Sequence, residues 1–249
     1  MIFHERRSSE LLPNLDNETP HLAQDSRVLI QCGTLTTSWT LSLAIFHLCH
    51  RPETLRKLRN ELIMAIPNAE DVVSLTQLQS LPYLGAVVKE ALRHSVGTSS
   101  SISRIAADEP FEVVDRDTGK SYQIPAGTVI SMSPYRTIMD ESIFDDPLSF
   151  DPERWLQNYE KLDKYLIIFG GGDDCICIGQ KLVQAELYLM LAKLFRRWGS
   201  ASRVRSDDAV DTRKGNVVVF EIAGTTLRNC SIPLPYEQSK GLYFHLQAF

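Results

Sequence analysis

The sequence predicts a mainly α-helical chain with a small β region set into its middle. Three observations carry this. Segments on both sides of the middle repeat apolar residues at helical spacing. Residues 101–133 break instead into short β-type runs separated by turn sequences. The composition is that of a globular protein: of 249 residues, 43% are hydrophobic and 23% charged, which argues against a disordered chain. A net charge of −5 supplies no broad phosphate-binding surface, so nucleic acid is not expected as a partner. The five cysteines are too few for a disulfide framework. Cys175 and Cys177 are also too close in sequence to bridge well, and a reducing, intracellular compartment fits best.

Taken from the start, residues 1–22 read as a loop-rich lead-in with Pro13, Asn14, Asn17 and Pro20. The opening MIFHERRSSELLPN has no signal-peptide core. A long helix is predicted over about 24–49. Within it, residues 28–50 carry no Asp, Glu, Lys or Arg, which is long enough to span a bilayer. Nine of these 23 residues are Gln, Thr, Ser or His, so a buried core helix is the expectation and a membrane span the alternative. Pro52 opens a second helix, amphipathic through Leu55, Leu58, Leu62, Ile63 and Ile66 and stopped by Pro67-Asn68. A short helix is predicted over Leu75–Ser80, and Pro82 starts another at its favoured first position. FEVVD, SYQI and TVISMS then read as strands between Asp-Thr-Gly-Lys and Pro-Ala-Gly turns. A last strong helix is predicted over about 178–198, and NVVVFEIAG and GLYFHL read as strands near the end. No repeat and no Gly/Ser linker divides the chain, so 1–249 is expected to be one domain: lead-in 1–22, helices 24–98, β region and following segment 99–156, glycine-rich loop and helix 157–200, and C-terminal strands 201–249.

Three constellations carry chemistry. On the first helix, Gly33, Thr36, Thr37 and Thr40 share one side and Leu35, Trp39 and Phe46 the other. A small, hydroxyl-lined face suits the close approach of a flat ligand; the plainer reading is Thr hydroxyls bonded back to the preceding turn. Next, Glu90 and Arg93 stand three apart on a helix, a pair that is common and weak at a surface. A second arginine, Arg154 in FDPERW, would turn the pair into a structural lock if all three were buried. Finally, FGGGDDCICIGQ at 169–180 runs from a glycine-rich loop through Cys175 and Cys177 into a helix. The amino end of a helix stabilises a thiolate, and a thiolate suits soft or haem iron. Phosphate binding is disfavoured by Asp173 and Asp174, and zinc by the lack of a second pair at finger spacing.

Taken in order, these pieces resemble the cytochromes P-450, and within them the haem-thiolate monooxygenases of fungal secondary metabolism. CGTLTTSWTLS is similar to the family's distal helix, patterned A/G-G-x-D/E-T-T/S. KEALR is similar to its E-x-x-R helix, FDPERW to its Pro-Glu-Arg-Trp segment, and FGGGDDCICIG to its haem loop, F-x-x-G-x-R-x-C-x-G. The resemblance implies the C-terminal half of that fold, from distal helix through haem-loop helix. It implies a haem b cofactor with Cys177 as axial iron ligand and Cys175 as a minor rival. It implies Thr36 as the distal alcohol, Glu90, Arg93 and Arg154 as a structural triad, Arg104 as a propionate partner, and Phe169 and Gly179 as residues of the haem-binding loop. It further implies dioxygen as oxidant, electrons from NADPH through a reductase partner, and a small apolar substrate. The family is usually anchored in the ER membrane, and membrane contact is expected only of a longer form, the anchor being absent from this sequence.

Four departures bear on activity. Leu35 stands where the family carries Asp or Glu. The haem loop is one residue long: counting from Phe169 places Ile176 at the cysteine position, whereas counting back from Gly179 places Cys177 there and Gly170 at the Phe position. Neither count supplies the loop arginine, the two positions holding Asp174 and Cys175. Residues 205–232 do not match the family's C-terminal region. The alternative to a monooxygenase is therefore a truncated, inactive remnant that binds haem weakly or not at all.

Overall fold

A stretch rich in Leu and Thr, with no proline beyond its first turn, forms one 32-residue helix, α1 (Thr19–His50), in the computed structural model, which describes residues 19–97, 101–115, 117–170 and 176–197. Pro20 lies in its first turn, where the missing N–H is no loss. Arg51 breaks the chain, and Pro52 starts α2 (Pro52–Ala65), whose Leu55, Leu58 and Leu62 are buried at the three-and-four spacing of one helical face. Ser74 caps α3 (Leu75–Gln79), its hydroxyl accepting from Gln77 N at 3.2 Å. Helix α4 (Pro82–Ser95) is the central element, with ten buried residues. Its first free amides are satisfied from another helix: Tyr83 N and Leu84 N each donate to the Glu61 carboxylate of α2 at 2.8 Å. It ends on Val96 and Gly97, both left-handed at φ 63° and 61°.

The β region consists of two antiparallel pairs, where one small sheet was expected. The inner hairpin pairs β2 (Phe111–Val114) with β3 (Ser121–Ile124), Phe111 facing Ile124. The outer pair joins β1 (Ile102–Ile105) to β4 (Val129–Met132), Ile102 facing Met132. Strand β1 was not anticipated, because SISRIA is too polar to alternate cleanly. Three five-residue helices follow, α5 (Pro134–Ile138), α6 (Glu153–Gln157) and α7 (Tyr159–Asp163), none of them anticipated. They are too short to show a period. A 3-10 turn (Ile167–Phe169) leads to α8 (Gln180–Arg197).

The main core gathers Ala44 and Leu48 of α1, Leu55, Leu58 and Leu62 of α2, Leu78 of α3, Leu84, Val87 and Ala91 of α4, and Leu187 and Leu191 of α8. A second cluster joins Ala86, Phe144, Trp155 and Leu162 under α6 and α7.

The expectation of a buried core helix over 28–50 holds for only half of it. Thr37, Thr40, Ala44, Ile45 and Leu48 are buried. Val28, Leu29, Ile30 and Leu35 are exposed, because the described helices pack only on the later turns of α1. By length and composition alone, α1 is a helix that could cross a membrane. The lead-in expected over 1–22 is corrected at its end, since residues 19–22 already form the first turn of α1; residues 1–18, Gly171 to Cys175 and the strands expected after residue 200 lie outside the described residues.

Candidate active site

The most fully specified part is the carboxylate of Glu90. It leaves α4 into a space with no solvent access, as does Arg93 one turn later. Arg93 grips it with two prongs, Nε to Oε2 at 3.0 Å and Nη2 to Oε1 at 2.8 Å. From α6, Arg154 Nε donates to Oε1 at 3.2 Å and Trp155 Nε1 to Oε2 at 2.8 Å. Asp151 N donates to Oε1 at 2.8 Å. The second arginine charge is absorbed by backbone. Arg93 Nη1 donates to the carbonyls of Ile138 and Pro147, and Arg154 Nη1 to that of Asp145. Burial by itself would raise the Glu90 pKa. Hydrogen bonds from His94 and Arg93, with the arginine charge, override it and hold the carboxyl far below the usual carboxylate range. The spacing of Glu90, Arg93 and Arg154 thus produces the buried lock that the sequence suggested. Trp155, Asp151 N and His94 were missed as members. The Trp after Arg154 was a readable signal; a backbone amide is not.

On α1 the four small residues behave as two sets. Thr36 Oγ1 donates to Cys32 O at 2.6 Å and Thr40 Oγ1 to Thr36 O at 3.0 Å, the back-bonding of the plainer reading. Thr37 differs: its hydroxyl is buried and has no hydrogen-bond partner among the described residues. One turn earlier, Gly33 has none of the described residues within 4 Å of the position a Cβ would take. An unpaired hydroxyl and an unfilled glycine face are what a helix needs to receive a flat ligand.

The loop before α8 is closed at its ends. Cys177 N donates to Phe169 O at 2.8 Å, which ties the two ends of the loop together. Gln180 N then donates to Cys177 O at 3.1 Å, and α8 begins. The Cys177 thiol is free and exposed. Its Sγ lies 3.8 Å from where a Cβ on Gly179 would stand, an ordinary van der Waals distance. Phe169 is half-buried against the main core and lines a cleft of about 400 Å³ together with Val88, Leu92 and Tyr188. Cys175 lies outside the described residues. Arg104 is exposed on β1 and donates to Ser103 O at 2.9 Å, a local contact that brings it to neither the lock nor the loop. Among the described residues no three His, Cys, Asp or Glu side chains cluster as metal ligands. At the start of α8 the described residues offer iron the sulfur of Cys177, and a haem accepts a cysteine ligand.

Comparison with known proteins decides the family. The profile of the family described as Cytochrome P450 matches residues 14–220. This chain belongs to the cytochrome P450 family. It is 39% identical over 249 residues to the cytochrome P450 monooxygenase astB of Talaromyces wortmannii, covering 97% of this chain and 49% of that one. It is 38% identical to the cytochrome P450 monooxygenase tpcC of Cochliobolus heterostrophus, covering 97% and 45%. It is 35% identical to the cytochrome P450 monooxygenase MO6277 of Ascocoryne sarcoides, covering 97% and 43%. The chain therefore spans about half the length of the relatives it matches. Membership of this P450 family implies a haem cofactor, and the free thiol at the α8 junction, the cleared Gly33 face and the unpaired Thr37 hydroxyl fit that group.

Proposed function

We propose that this chain carries the thiolate, distal-helix and lock elements of a haem-thiolate monooxygenase that oxidises a small apolar metabolite. The observation that carries the reading is the exposed Cys177 thiol at the start of α8, with its backbone N–H tied to Phe169 O. When bound there, haem b would supply reductive splitting of dioxygen, with electrons from an NADPH-dependent reductase, and delivery of one oxygen atom into a C–H bond. Cys177 would hold the iron from one side. Its backbone N–H is tied to Phe169 O, which fixes the end of the loop beside α8. Thr36 would present its hydroxyl from the distal helix, releasing Cys32 O to donate a proton toward the oxygen side. Thr37 offers a second hydroxyl that is already unpaired. The Glu90 lock would hold α4 and the 147–155 segment rigid behind the site. Arg104 is proposed as the propionate partner, which requires its exposed guanidinium to leave Ser103 O.

The second reading is a catalytically inactive remnant that binds haem weakly or not at all. Leu35 favours it: a leucine can neither ionise nor donate a hydrogen bond where the family places an acid. Titration of the purified chain with haem tests the ligand assignment. Saturable uptake that Cys177→Ala abolishes and Cys175→Ala leaves intact supports the reading. Uptake unchanged in Cys177→Ala overturns it.

A further inference from the structure

Behind the lock lies a second cluster that the proposed chemistry does not use. His47, near the end of α1, stacks on Phe150 with ring centroids 4.6 Å apart and planes 9° apart. It meets His94 of α4 at 5.0 Å. Its Nδ1 lies 2.8 Å from Arg51 Nη1. A guanidinium has no acceptor, so Nδ1 must be bare and the imidazole neutral with its proton on Nε2. A proton on Nδ1 would set donor against donor and charge against charge at that distance. The path onward to the lock is short. Phe150 is buried, and the next residue, Asp151, gives its N–H to Glu90. His94 Nε2 stands 2.8 Å from Arg93 Nη2, 3.1 Å from Ser149 O and 3.5 Å from Glu90 Oε1.

We propose that His47 is a positioning residue: as a neutral imidazole, stacked on Phe150 and holding Arg51, it keys the last turns of the helix that carries Thr36 to the Glu90–Arg93–Arg154 lock, and protonation releases that joint. The charged and titratable groups around it point the same way. Arg51 and His50 face it from the end of its own helix, and His94, Arg93 and Glu90 from α4; Arg154 lies beyond Glu90. Burial first, then the neighbouring His94 ring and the Arg51 charge, push His47 down to about 3. Glu90 opposes this, but its charge is already taken up by two arginines. The joint depends on the proposed function only for the role of Thr36, and its test involves no haem, so the two stand or fall separately.

The test is amide hydrogen exchange in residues 41–50 of the full chain at pH 7 and pH 5, corrected for intrinsic rates, in wild type and His47→Gln. Glutamine keeps an oxygen acceptor for Arg51 and has no proton to gain. Wild-type protection should fall about twentyfold from pH 7 to pH 5, as an imidazole held near 3 in the closed state is released to its ordinary value on opening. In His47→Gln that pH-dependent fall should disappear. An equal fall in both proteins, or none in wild type, overturns the proposal. Should the variant not fold, the imidazole C–H resonances of wild type decide. A His47 resonance, assigned separately from that of His94, which also meets Phe150, supports it by not titrating between pH 8 and 4.5 and overturns it by titrating near 6.5.

Discussion

Replacing Glu90 with Gln removes one charge and almost no volume, so its effect reads the electrostatics of the lock. The carboxylate accepts from five donors: Arg93 Nε and Nη2, Arg154 Nε, Trp155 Nε1 and Asp151 N. An amide offers one oxygen. Placed at Oε1 it keeps Arg93 Nη2, Arg154 and Asp151, but turns its NH2 against Arg93 Nε and Trp155 Nε1. The flipped amide fails against three donors instead of two. Either way Arg93, with no solvent access, is left without a counter-ion. Breaking a buried pair on one side costs about 3–5 kcal/mol. For a chain of this size that lowers the thermal midpoint by about 6–20 °C. Circular dichroism melts of wild type and Glu90→Gln measure it. Glu53→Gln serves as control, since Glu53 and Arg56 form an exposed pair at 2.5 Å whose loss should leave the midpoint unmoved. A Glu90→Gln midpoint within 2 °C of wild type would refute the account of the lock.

Further outcomes follow from the same geometry. Stability should fall as pH drops below neutrality. His47 has its pKa depressed to about 3, so its contribution is complete above about 6.5 and is lost toward 3, about 1–2 kcal/mol by pH 5. Glu90, also depressed, adds a second loss below about 4.5. Urea melts at pH 7, 6 and 5 check this, and a stability maximum at pH 5 would contradict it. Gly97→Ala should destabilise by about 1–3 kcal/mol, because φ is 61° and the new Cβ would meet Ile168 O at 3.1 Å. Leu191→Ala, in the α8 core, should cost about 2–5 kcal/mol in the same melts. Gly33→Ala should leave the melt unchanged, since its Cβ meets nothing, yet weaken haem uptake; unchanged uptake would argue against haem on that face.

How much was legible depended on whether the determinants are local. The apolar spacing of Leu55, Leu58 and Leu62 and the proline at position 52 are local, and α2 starts where they indicate. The lock was legible as well, because three side chains at recognisable positions define it, although its burial could be stated only as a condition. Half of α1 misled. Its composition suits burial, but exposure at Val28, Leu29 and Ile30 is set by which elements pack against them, which one helix's sequence does not encode. The helices α5, α6 and α7 are shorter than two turns, so no periodicity could reveal them. His47 and His94 lie 47 residues apart with no motif between them, and only the packing of α1 on α4 brings their rings together. At the thiolate loop, two counts competed in the sequence. The hydrogen bond from Cys177 N to Phe169 O shows how the longer loop is closed, which no residue pattern conveys.

The central claim is that Cys177 presents a thiolate to haem iron. The carbon-monoxide difference spectrum of the reduced, haem-loaded chain tests it most directly, because the Soret position reports the axial ligand. The account predicts the long-wavelength band of thiolate ligation in wild type and Cys175→Ala, and its loss in Cys177→Ala. A wild-type band at the shorter wavelength of imidazole or thiol ligation, or a long-wavelength band that survives Cys177→Ala, would contradict it.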